Sequence, residues 1–283
     1  MRKGIFILLA SLPFCADAAN TCDDDLGNNC WDCSKTDSDS CTARLKDGVL
    51  TFSGNGKMKN YAFSYSSENN LPTSNPSPWY NQSEPVKKII IEEGITSVGS
   101  HAFADMPAIK EVELPEGLEI IGRECFRGTG ITSLDLPSTL TTIGNYAFNI
   151  STLEKINAIP ELINIINDHT FSGTKIKNWI IPQNVTYVSP YTFKSSAIEN
   201  LYCEEGIVKQ CEKAVQWKKD LGQTVNVLSY QKQANGNIFY KNHWYSSPNN
   251  ILSADGYIKK RIYTIDEANQ VAGEVNSFKI KYR

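Results

Sequence analysis

The chain has 283 residues, room for one large domain or two to three small ones, and 41% of it is apolar, enough to build a real core. Its 28 Lys and Arg against 31 Asp and Glu leave a formal net charge of -3. That balance gives no electrostatic basis for binding nucleic acid or an anionic membrane.

The first residues, MRKGIFILLASLPFCADAAN, read as a secretory signal peptide over 1–18. Arg2 and Lys3 are its charged start, Ile5 to Phe14 its apolar middle, and Ala16-Asp17-Ala18 its cleavage site. Lipoprotein processing at Cys15 is the competing reading, against which the bulky Phe14 stands where a small residue is wanted. The apolar run is too short to span a bilayer and no later stretch is longer, so stable membrane insertion is not expected. The expected location is secreted, periplasmic or on the cell surface.

Residues 19–85 read as an N-terminal Cys-rich β cap with a long loop. Cys22, Cys30, Cys33 and Cys41 stand close together. Four thiolates at this spacing suit a zinc site, but export favours two disulfides, whose pairing the spacing does not reveal. TARLKDGVLTFSG reads as a hairpin turning at Asp47-Gly48. Ser53-Gly54-Asn55-Gly56-Lys57 superficially resembles a phosphate loop, but it lacks the GxxxxGK[ST] spacing and no helix follows it. The polar, Pro-rich stretch after it reads as a loop anchored by Trp79 and Tyr80.

From 86 to 208 the chain repeats itself. Phe103, Phe126, Phe148, Phe171 and Phe193 recur every 22 or 23 residues, and Val98, Ile121, Ile143, Ile166 and Val188 keep step with them. So do Ile91, Leu114, Leu136, Ile159, Ile181 and Cys203. A fixed period in the twenties means stacked coils, none of which buries its apolar set alone. In each unit a short strand, as at Val112 and Leu114, turns its apolar residues inward and leaves Glu111 and Glu113 outside. A Pro ends the strand, Gly122 or Gly144 turns the chain, and the Phe plugs the coil. Cys125 occupies the column of Ala102 and Ala147, where a buried free thiol is expected. In the fourth unit Asn167 replaces the turn Gly, and an extra residue before Pro160 predicts a bulge.

LPEGLEIIGRECF, LPSTLTTIGNYAF and IPQNVTYVSPYTF share the pattern LPxxLxxIGxxAF, which resembles the BspA-like leucine-rich repeat family of secreted and surface proteins. The resemblance implies an α/β, β-rich leucine-rich-repeat solenoid of about five 22–23-residue coils. It implies adhesion or protein binding, and it does not imply a catalytic site.

Residues 209–228 read as a capping helix and linker. EKAVQWKKDLG looks helical with Gly222 as its stop, and Cys203 bonded to Cys211 would staple it over the open end. Residues 229–283 read as a small C-terminal α+β module: a hairpin around IFYKNHWYSS, a capping box at Thr264 to Glu267 and a final strand SFKIKYR.

No catalytic, cofactor-binding or metal-binding set is readable. His101, His169 and His243 fit no HExxH, no GxSxG occurs, and Asp23, Asp24, Asp25, Asp37 and Asp39 lack the spacing of a calcium loop. His101 and His169 share a coil-turn position, which points to a structural surface role. The outward strand positions form two columns, from which the partner-binding residues are expected: Ile90, Glu111, Glu113, Asp135, Lys155, Asn178, Ile180 and Tyr202. Exposed Ile180 and Tyr202 beside Trp217 would be an apolar anchor for a protein ligand. The other reading places these two under the C-terminal module. For the whole chain, an envelope or matrix protein with homotypic contacts is the alternative to a ligand binder.

Overall fold

The computed structural model describes residues 29–62, 76–156 and 158–232, together with the backbone of three short strands at 238–240, 243–245 and 263–264. The expected leader, Cys22, the bulge residue Asn157, the helix after Thr264 and the last strand lie outside the described residues.

The N-terminal hairpin is β2 (Ser40–Lys46) and β3 (Val49–Lys57), with the short β1 (Cys30–Asp32) antiparallel to β2. Asp47 and Gly48 have φ of 53° and 75°, the left-handed pair a two-residue hairpin turn needs. The supposed phosphate loop is the second half of β3, extended and in the sheet. That strand starts the solenoid twice over. Val49 to Phe52 pair in parallel with β4 (Lys88–Ile91), while Gly56 and Lys57, across a bulge, pair with β5 (Ile95–Val98).

Two parallel ladders then run along the coils. The first continues through β6 (Glu111–Glu113), β8 (Ser133–Leu134), β10 (Lys155–Ile156), β12 (Asn178–Ile181) and β14 (Asn200–Glu204). The second continues through β7 (Ile120–Ile121), β9 (Thr142–Ile143), β11 (Ile165–Ile166) and β13 (Tyr187–Val188). Between them the five repeat phenylalanines are wholly buried and stacked, with neighbouring centroids 5.3 to 6.2 Å apart. Trp79 anchors the incoming loop: it is buried, its indole N–H donates to the Ala102 carbonyl at 2.8 Å, and its ring meets Phe52 edge-on. Cys125 is free and buried, and burial pushes its thiol well up from the ordinary value.

Neither ladder is continuous. The first is paired as β4 with β6, β8 with β10, and β12 with β14. The second stops at β9 and resumes at β11. Asn167 explains the second break. Where Gly122 and Gly144 turn, their backbone N–H groups donate to the carbonyls of Val98 and Ile121 at 2.9 Å. At Asn167 the side-chain amide takes the equivalent Ile143 carbonyl, at 2.7 Å. Ser189, one coil on, restores the backbone bond to Ile166.

The far end is closed by a 3-10 turn (Glu205–Ile207) and two short helices, α1 (Val208–Ala214) and α2 (Gln216–Asp220). One helix was expected; Val215, with φ of -115°, splits it. Gly222 follows with φ of 71°. Gln210 of α1 continues the second ladder with its side chain, accepting from Val188 N–H and donating to the Thr186 carbonyl. Beyond the helices β15 (Asn226–Lys232) pairs in parallel with β14, then antiparallel with β16 (Ile238–Tyr240), β17 (His243–Tyr245) and β18 (Tyr263–Thr264).

Candidate partner-binding face

Parallel registry sets the outward residues of the first ladder in rows. Lys88 lies opposite Glu111, Ile90 opposite Glu113, Ser133 opposite Lys155, Asn178 opposite Asn200. Several of these groups are already engaged. The Lys88 ammonium is 2.5 Å from Glu113 and 3.6 Å from Glu111, and its hydrogen bond to Glu113 holds its pKa above the ordinary value. The amide of Asn226 donates to Asn200 at 2.7 Å, and that of Asn200 to Asn178 at 2.6 Å, an amide ladder along the sheet. Lys177 and Glu199 pair at 3.1 Å beside it. Glu111, Glu113, Asp135 and Lys155 are exposed; Ile90 and Asn178 are partly so.

Ile180 and Tyr202 are not an exposed anchor. They are 6% and 5% exposed. The sheet does not end at β14, as the anchor required, but runs on into β15, and the register sets Ile180, Tyr202 and Leu228 side by side within it. Tyr230, also buried, reaches past β14 to donate its hydroxyl to the Ile181 carbonyl at 2.7 Å. Trp217 lies on α2, half-buried, with its indole N–H buried and without a partner.

A second correction concerns Val112 and Leu114, expected in the core. Both are only half-buried. Among the described residues no ladder bond joins β6 to β8. A cleft of about 370 Å³ opens there, lined by Lys110 to Leu114 on one wall and Ser133 to Asp135 on the other. Just past the strands the coils are held together by side chains instead. Glu116 accepts from the Ser138 hydroxyl and backbone, and the Thr139 hydroxyl links the Gly117 N–H to the Leu118 carbonyl. The cleft thus unites Glu111, Glu113 and Asp135 of the expected set and leaves Ile180 and Tyr202 out.

Two further rows stand out in the structure, of the first of which the sequence showed only the shared position of His101 and His169. Two residues before each repeat Phe stand His101, Glu124, Tyr146, His169 and Tyr191, the first four with φ between 52° and 60°. They interlock: the His101 ring nitrogen is 3.7 Å from Glu124, Tyr146 stacks on His169 at 4.5 Å, and His169 on Tyr191 at 5.3 Å. The two histidines are therefore partly buried in a column rather than simply on the surface. On the second ladder Ile165 and Tyr187 face each other in register, 45% and 47% exposed. Taking that position in all five coils, not in the two histidine coils alone, reveals the first row; the second needed the outward column of a strand only two residues long.

The cysteines close the ends. Cys33 is bonded to Cys41, Cys203 to Cys211, and Cys30 is also in a disulfide. Among the described residues no group of His, Cys, Asp and Glu is arranged to hold a metal ion, and no helix is long and apolar enough to cross a membrane.

The family profile of the BspA type leucine rich repeat region matches residues 73–199, in six copies. No protein of curated function matches the chain. Among solved structures, a leucine-rich repeat protein from Eubacterium ventriosum is 21% identical, with a TM-score of 0.52 over 76% of this chain and 49% of that one. The pneumococcal vaccine antigen PcpA is 14% identical with a TM-score of 0.42, over 74% and 54%. A leucine rich cell surface protein from Faecalibacterium prausnitzii is 16% identical with a TM-score of 0.37, over 84% and 63%. The chain thus spans about half the length of the Eubacterium protein, a likeness at this identity of fold alone. Its solenoid, matched copy after copy over 73–199, belongs to the BspA-type leucine-rich-repeat family.

Proposed function

We propose that this is an exported protein that binds a protein partner through the outward face of its first ladder. The observation that carries this reading is the cleft between β6 and β8, where Glu111, Glu113 and Asp135 stand exposed over half-buried Val112 and Leu114. The core does not need those carboxylates. Export is supported by the disulfides at both ends of the fold, which belong to oxidising compartments, and by the leader-like first 18 residues. Family membership supports a binding role over a catalytic one.

The test is site-specific photo-crosslinking. A benzophenone amino acid at Ser133, within the face, is expected to trap a partner from extracellular or envelope extracts. The same group at exposed Thr142 on the second ladder is expected to trap none. Equal trapping at both positions counts against the first ladder as the binding face, and a Ser133 adduct consisting only of this chain supports the homotypic alternative.

A further inference from the structure

The cleft between β6 and β8 has a chemistry that narrows the partner. Its floor is apolar: Leu134 is 3% exposed, and Val112 and Leu114 are half-buried against the core. Its rim is acidic. The side chains of Glu111 and Glu113 are 70% and 59% exposed, and Asp135, also exposed, has no ion pair among the described residues. The lining holds one cation, Lys110, whose ammonium is folded back over Gly130, where a Cβ would strike it. Lys155, opposite Ser133 on β10, is the cation next along the row.

We infer that this cleft takes an extended basic segment of a protein partner, with one Lys or Arg side chain lying in it. The inference rests on the first ladder being the binding face. A long basic side chain is itself amphipathic, so its methylenes cover Val112, Leu114 and Leu134 while its charged head meets Glu111, Glu113 and Asp135. The chain already contains this arrangement once. Lys88, from the neighbouring strand, brings its ammonium to Glu113 and Glu111 from the other side. A second cation entering from the cleft meets Asp135, which Lys88 leaves without an ion pair, since Lys88 pairs with Glu111 and Glu113. Charge complementarity of this kind, at exposed groups, sets specificity and encounter rate and weakens with salt.

The experiment uses the full mature chain and a fluorescein-labelled heptalysine peptide, read by anisotropy at low and at physiological salt. Saturable binding that weakens with salt is expected, with none for the same peptide fully acetylated on its lysines. Asp135→Asn combined with Glu113→Gln should weaken binding about fivefold or more, the scale of two exposed charge pairs. Lys155→Glu should strengthen it, and Glu212→Gln, exposed on α1 at the far cap, should leave it unchanged. Circular dichroism melts of each variant exclude unfolding as the cause. No binding by the wild type, equal binding of the acetylated peptide, or an undiminished double variant each overturns the inference. A Ser133 crosslink to a partner without heptalysine binding overturns it too, while leaving the first ladder as the binding face.

Discussion

The rings of Phe126 and Phe148 lie parallel to within 2°, their centroids 5.7 Å apart, and neither side chain is exposed at all. Each coil therefore rests on the aromatic plug of the one before it. Phe148→Ala should cost about 3–5 kcal/mol, because a stacked coil has little freedom to collapse into the space left behind. The loss should spread along the solenoid, since a coil is stabilised only by its neighbours. Hydrogen exchange is expected to quicken at Ile121 and Ile166 as well as at Ile143. Faster exchange confined to the substituted coil would contradict the stacking account.

Much of this was legible because the periodic columns repeat a buried environment. The Phe column, the column of Val98 and Ile121, the Asp47-Gly48 turn and the Trp79 anchor all follow from residues whose chemistry admits few alternatives. What stayed hidden depends on pairing between coils. Asn167 was visible as a departure from Gly, but the donation of its amide to the Ile143 carbonyl, which interrupts the second ladder, needs the coil-to-coil distance. The break between β6 and β8 leaves no mark in Glu111 to Leu114, which keep the repeat pattern. Tyr202 was misplaced for a related reason: the continuation of the sheet into β15 comes from residues beyond the last repeat.

The staple at the far end can be tested directly. Cys203 is a buried strand residue of β14 and Cys211 a buried residue of α1, eight positions on. Replacing both with Ala removes a small loop constraint and should cost about 2–3 kcal/mol. The helices should then exchange faster than β12, since α1 is only seven residues long and holds its place by this bond and by packing. An unchanged urea midpoint in the double variant would show that the helices stay docked without it.

His101 should make the stability of the solenoid sensitive to mild acid. Burial pushes its pKa below the ordinary 6.5, Glu124 and Asp105 pull it back, and Arg123 and Arg127 push it down further. The folded state therefore binds the proton less readily than the unfolded chain. Its contribution is complete above about 6.5 and is lost as pH falls through that value toward the lower folded pKa. Unfolding midpoints in urea should fall between about pH 7.5 and about pH 5, where His is the side chain that ordinarily titrates. His101→Asn should flatten that slope, since Asn tolerates the φ of 56° found there. A slope that survives the substitution unchanged would assign the acid sensitivity to another group.

Tyr230 ties the strand beyond the last repeat back to the solenoid. Its hydroxyl donates to the Ile181 carbonyl across β14, at 2.7 Å and out of contact with solvent, and burial raises its pKa so that the phenol stays protonated. Tyr230→Phe keeps the ring and removes the donor, leaving a buried carbonyl with one partner fewer. The expected cost is about 1–2 kcal/mol. Because the bond joins β15 to β12, the loss should be seen at the β14 and β15 amides and not at β4 or β6, the opposite end of the ladder. Tyr230→Ala, which also removes the buried ring, should cost more and slow no exchange anywhere. If Tyr230→Phe melts as the wild type does and exchange at β15 is unaltered, the hydroxyl is satisfied by solvent and the attachment of β15 rests on its ladder to β14 alone.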